Sequence, residues 1–120
     1  MTWKNFDRYE FRCKCGCETN EIQDETIDLA QKIRDEVGFA MSITSGYRCE
    51  KHPLERAKIR PGTHAKGLAF DVNCDGAKAR LITEALLKSR AGGVGVNQKD
   101  DGRFVHGDVD QERIERFWTY

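Results

Sequence analysis

Apolar and polar positions along this chain change period several times, and the changes outline its elements. Between residues 21 and 37, Ile27, Ala30, Ile33, Arg34 and Val37 recur at helical spacing with polar residues between them. That pattern predicts an amphipathic helix. Gly38 follows where a left-handed C-terminal cap belongs. Phe39 to Thr44 reads as a short strand. Residues 49–63, with Pro53, Pro61 and Gly62, read as an irregular crossing loop. From Gly67 to Val72 the period falls to two: Leu68, Phe70 and Val72 face one way, Ala69 and Asp71 the other. Asp75 can cap a second helix over 76–90, whose apolar side is expected to carry Ala77, Leu81, Ala85 and Leu86. Gly92 to Val96 is a small-residue strand, Asn97 to Gly102 a polar turn and Arg103 to Val109 the returning strand, so 93–109 is predicted to be a hairpin. The tail from Ile114 is expected to lay Phe117, Trp118 and Tyr120 over a core face. Helices and strands are mixed without regular βαβ alternation. The expected class is α+β: a small, mainly antiparallel sheet with flanking helices, in one domain over residues 1–120.

Composition narrows the function. The 120 residues are 38% hydrophobic and 33% charged, an ordinary globular balance. Lys+Arg and Asp+Glu both count 20. No basic excess points to nucleic acid or an anionic membrane. The opening Met1 to Asp7 holds no apolar signal core, and no run approaches the roughly 20 apolar residues of a membrane helix. The expectation is a monomer made in the cytoplasm without a signal peptide, acting on anything outside only after release or as part of a virion.

The five cysteines, at 13, 15, 17, 49 and 74, argue by their odd number against a disulfide framework. The Cys13-Lys14-Cys15-Gly16-Cys17 run could bind a soft metal, but it lacks the CxxC knuckle and no second CxxC follows. Reduced thiols, some buried as small apolar residues, are expected. A competing arrangement is a cysteine-centred zinc domain using Cys13, Cys15, Cys17 and Cys49.

Three histidines occur, His52, His64 and His106. His64 and Asp71 are seven apart, which is wrong for one helix turn and right for a loop residue and a strand residue converging on one point. Strand alternation puts Phe104, His106 and Asp108 on one face. Two imidazoles and a carboxylate supply three ligands and leave one tetrahedral position for water, the pattern of a catalytic zinc site. Zinc there would lower the pKa of that water and polarise a carbonyl. Gly67, Ala69, Gly92, Gly93 and Gly95 are expected to permit close backbone approach beside the metal. His52 is expected to be a solvated loop residue beside the Arg48 segment.

Four segments, in order, carry a family resemblance: Ile43-Thr44-Ser45-Gly46-Tyr47-Arg48, Thr63 to Asp71, Gly93-Val94-Gly95, and Phe104-Val105-His106-Gly107-Asp108. With the Phe11 to Cys17 opening and the Trp118-Thr119-Tyr120 ending, the chain resembles the D-alanyl-D-alanine carboxypeptidase-like zinc peptidases (peptidase M15), in particular their short phage and bacterial members. That family also includes vancomycin-resistance dipeptidases and endolysins, and it shares its fold with the hedgehog signalling domain. The resemblance implies a Zn2+ held by His64, Asp71 and His106, Arg48 as the substrate-contacting arginine near the scissile bond, and a peptidoglycan peptide as substrate. Several members place an acidic general base three residues before the last histidine; here that position is Arg103. Asp108 and Asp101 are the remaining acids, with Asp108 the expected catalytic partner, as base or as an orienting group. A zinc-binding module without activity is the alternative the departure leaves open.

Overall fold

The structure is a computed structural model that describes residues 2–113 and 115–120. Two helices, α1 (Asp24–Val37) and α2 (Gly76–Lys88), accompany five strands: β1 (Ser42–Ser45), β2 (Ala69–Asn73), β3 (Gly93–Asn97), β4 (Phe104–Asp108) and β5 (Arg116–Thr119). The strands form one sheet in the order β1-β2-β4-β3-β5. Its pairings are antiparallel except β3 with β5, which is parallel. The fold is α+β, as the mixed periodicities predict. Among the described residues no helix is long and apolar enough to cross a membrane.

Period-two alternation gives the sheet two different faces. Phe70, Val72, Val94 and Val105 point into a core shared with Ile27, Ala30 and Ile33 of α1 and Ile82 and Leu86 of α2. The opposite face carries Asp71, His106 and Asp108. The helix from 24 ends at Gly38, whose φ of 77° is left-handed and whose N–H reaches Arg34 O, a capping geometry glycine adopts without strain. It begins three residues later than the pattern predicts, because Gln23 is extended and its N–H bonds Gly67 O at 3.0 Å.

Three expectations need correction. In α2 the buried stripe is Ala79, Ile82, Ala85 and Leu86, while Leu81 is 46% exposed and Ala77 is exposed. Both stripes have helical spacing. Both include Ala85 and Leu86; the observed one turns β-branched Ile82 inward in place of Leu81, and burying such an aliphatic side chain stabilises by about 1.5–3 kcal/mol. Asp75 occupies the N-cap position of α2, but its side chain makes no capping hydrogen bond. The tail is an edge strand rather than a lid on the core: Phe117 is 57% exposed, and Trp118 and Tyr120 lie on the face opposite the helices. Ile114, expected to open that tail, lies outside the described residues.

Candidate active site

Strand register assembles the site. Ser45 of β1 pairs with Asp71 of β2, Asp71 with His106 of β4, His106 with Gly95 of β3, and Gly95 with Trp118 of β5. One row across the sheet therefore brings together residues from five distant parts of the chain, all on the same face. A register irregularity between Ile43 and Ser45 sets Ser45 opposite Asp71.

Two loops complete the row. The segment after β1 passes so close to Phe11 that a Cβ on Gly46 would lie 2.5 Å from Phe11 O. Only glycine fits there without moving backbone. The adjoining Tyr47 N–H bonds Phe11 O at 2.8 Å, and the buried Tyr47 hydroxyl donates to Glu21 at 2.9 Å. The Arg48 N–H in turn holds His64 O at 3.1 Å, so the two loops carrying Arg48 and His64 are bonded to each other.

The ring nitrogens define the centre. His64 Nδ1 lies 2.7 Å from Gly46 O. A carbonyl only accepts, so Nδ1 carries a proton, and Nε2 lies 3.3 Å from Asp71 Oδ1. His106 Nε2 lies 2.8 Å from Asp108 Oδ2 and its Nδ1 3.0 Å from Asp71 Oδ1. His64, Asp71 and His106 are each buried, and they offer ligand atoms within 4.8 Å of one another. Each imidazole thus has one nitrogen tied outward to an oxygen and the other turned towards Asp71 Oδ1, the arrangement that fixes tautomer and orientation in metal-binding histidines.

Charge in the site favours a cation. Burial pushes the Asp71 carboxyl up, but hydrogen bonds with His106 and His64 hold it well below the usual carboxylate range. Burial pulls His106 down, yet contacts with Asp108 and Asp71 leave it above an ordinary imidazole. Asp108 is also lowered against the cost of burial, chiefly by His106 and further by the Asp110 N–H and Arg116. Two buried carboxylates whose ionised form is favoured therefore flank one buried imidazole. The same field stabilises a divalent ion placed among the three ligands.

Arg48 borders the centre on the β1 side. Its Nε donates to Ser45 Oγ at 3.1 Å, and Nη2 lies 3.4 Å from Asp71 Oδ2. Nη1 lies 3.5 Å from Glu55. Glu55 is a buried acid that the sequence pattern did not mark; it also pairs with Lys58 at 2.8 Å. On the other side the Trp118 ring packs tilted against His106 with centroids 5.0 Å apart, and Tyr120 meets Phe104 at 4.9 Å. The aromatic tail is a wall of the site rather than a cover over the core.

Asp108 shares the His106 strand face, as alternation predicted, and both its oxygens are engaged. Oδ2 meets His106, Oδ1 accepts the Asp110 N–H at 3.1 Å, and Arg116 Nη2 contacts both, at 2.9 and 3.1 Å. The other acid candidate, Asp101, sits exposed in the β3–β4 turn. Arg103 points towards α2, 3.8 Å from Asp75. His52 is half-buried rather than fully solvated; its Nδ1 accepts the Leu54 N–H at 3.1 Å, and burial and the nearby Arg48 lower its pKa. The small residues do not surround the centre as expected. The space a side chain would need is filled by Glu21 backbone at Gly67, by Asp110 backbone at Gly92, by Asp108 and Arg116 at Gly93 and by the Trp118 ring at Gly95.

Neither a curated protein nor a solved structure matches this chain significantly. The family model described as peptidase M15 matches residues 4–108, a span that contains Arg48, His64, Asp71, His106 and Asp108. With most of its length matched, and with His64, Asp71 and His106 gathered at one buried point that could hold a metal ion, the chain belongs to the peptidase M15 family of metallopeptidases.

Proposed function

We propose that this chain is a zinc-dependent peptidase that hydrolyses peptide bonds in peptidoglycan stem peptides, as a cell-wall carboxypeptidase or an endolysin-type endopeptidase. The observation that carries the reading is the orientation of His64 Nε2, Asp71 Oδ1 and His106 Nδ1 towards one point, with the outer nitrogens tied to Gly46 O and Asp108. Two imidazoles and one carboxylate fit a three-ligand zinc site with an open fourth position. Zinc bound there supplies Lewis-acid polarisation of a carbonyl and a water of lowered pKa.

The remaining work falls to side chains. Arg48 offers a guanidinium held between Asp71 and Glu55, suited to a peptide carboxylate or to the oxyanion that develops on the attacked carbonyl. Trp118 and Tyr120 supply an apolar wall beyond His106. Asp108 holds the His106 Nε2–H, and its two engaged oxygens favour a positioning role over proton abstraction. The domain acts as a monomer at the cell wall, reached by release from the cell or carried in a virion.

One observation favours the second reading, a zinc-binding module that holds a wall peptide without cutting it. The position of the expected acidic base is Arg103, turned towards Asp75, and the acid that touches His106 from outside the ligand trio is already bonded on both oxygens. Incubation of zinc-loaded protein with purified peptidoglycan, followed by mass spectrometry, separates the two. New free D-alanine identifies a carboxypeptidase and shortened cross-links an endopeptidase. Peptide binding with no new product supports the module and overturns the peptidase.

A further inference from the structure

Away from this centre, the thiols of Cys13, Cys15, Cys17 and Cys49 lie within 4.8 Å of one another. Cys49 Sγ is 3.5 Å from both Cys15 Sγ and Cys17 Sγ, and all four cysteines are free. We propose that these four cysteines bind a second, structural zinc ion as a closed tetrathiolate site, separate from the His64, Asp71 and His106 centre.

The geometry suits that ion. Zinc–sulfur bonds of about 2.3 Å place tetrahedral sulfurs about 3.8 Å apart, close to the spacing found here. The run from Cys13 to Cys17 lacks a CxxC knuckle, but Gly16 takes a φ of 108°, a left-handed conformation that turns the short run back on itself. The fourth sulfur comes from a segment more than thirty residues away, so no second CxxC is needed. Donors towards sulfur are also in place: the Cys49 N–H is 3.3 Å from Cys13 Sγ and the Thr19 N–H 3.5 Å from Cys17 Sγ. Such N–H groups offset the negative charge that metal-bound thiolates carry. Four thiol protons pass to solvent when the ion binds, and no oxidant is involved.

The site would act as a staple. Cys49 follows Arg48 directly, and the Phe11 to Cys17 segment already grips Tyr47 through Phe11 O. A metal joining Cys49 to that segment fixes the loop from which Arg48 reaches Asp71. The proposal does not depend on the catalytic reading, since its ligands are a separate set.

The test is metal content of the full chain, purified under reducing conditions and supplied with zinc, beside two double variants. The wild type is expected to hold two zinc ions. His64→Ala with His106→Ala should hold one, and Cys15→Ser with Cys17→Ser should also hold one. Cobalt substitution identifies the thiolate site independently: the histidine variant should keep intense sulfur-to-cobalt charge-transfer absorption. If the cysteine variant fails to fold, the cobalt spectrum of the histidine variant decides alone. A histidine variant that binds no zinc and gives no such absorption overturns the proposal. So does a wild-type mass lower by the hydrogens lost to disulfides among these cysteines.

Discussion

Asp108 shows how a residue can be found from sequence while its role is not. Strand alternation alone places it beside His106, but alternation says nothing about which of its oxygens are free. The hydrogen bonds to Asp110 and Arg116 decide that; the first is a local turn two residues on, and the second comes from β5, whose approach no local pattern announces. If Asp108 positions His106, Asp108→Asn should keep much of the activity, because an amide oxygen still accepts the ring N–H. Asp108→Ala should lower metal affinity by about 10–100-fold. Zinc titration and kcat measured on both variants check this; equal abolition of activity at unchanged metal affinity would instead make Asp108 the base. Arg48 is the companion case. Its guanidinium forks towards Asp71 and Glu55, a geometry an ammonium cannot reproduce. Arg48→Lys should reduce kcat by about 100-fold or more, as loss of an oxyanion donor does, while zinc content and melting temperature stay near wild type. A variant with near-normal kcat would remove Arg48 from the chemistry.

At the scale of elements, the long periodic segments were legible and the short edge was not. The helix over Asp24–Val37, the hairpin of β3 and β4 and the alternation of β2 follow from period and turn residues that the local sequence carries in full. β5 is four residues long, half-exposed, and pairs in parallel with a strand that precedes it by some twenty residues. No turn signal marks such a pairing, so its aromatic residues read as core cover. Its real consequence is at the site: Trp118 crosses the face of Gly95 to reach His106. A Cβ on Gly95 would lie 2.6 Å from the indole, and the ring cannot yield without leaving the histidine. Gly95→Ala is therefore expected to cost about 1–3 kcal/mol through overpacking and to shift tryptophan emission. Unchanged denaturant stability and an unchanged spectrum would show that β5 does not hold Trp118 there.

On the scale of the whole molecule, the sheet register does what no motif does alone. It places a carboxylate from β2 and an imidazole from β4 side by side, while two loops bonded to each other deliver Arg48 and His64 from one edge. The convergence of His64, Asp71 and His106 was legible because their spacing suits a loop and two strands. Glu55 and the Trp118 and Tyr120 wall were not, since their places depend on a crossing loop and an edge pairing that only the folded chain specifies. The proposed function rests on one centre, where His64, Asp71 and His106 would hold the metal of a metal-dependent peptidase. Its most direct test is hydrolysis of purified peptidoglycan by chelator-stripped protein as zinc is added back, with His64→Ala measured alongside. Stripped protein should not cleave, activity should recover as zinc returns, and the folded variant should stay inactive at any zinc concentration. Equal cleavage by wild type and variant, or cleavage that survives complete metal removal, would contradict it.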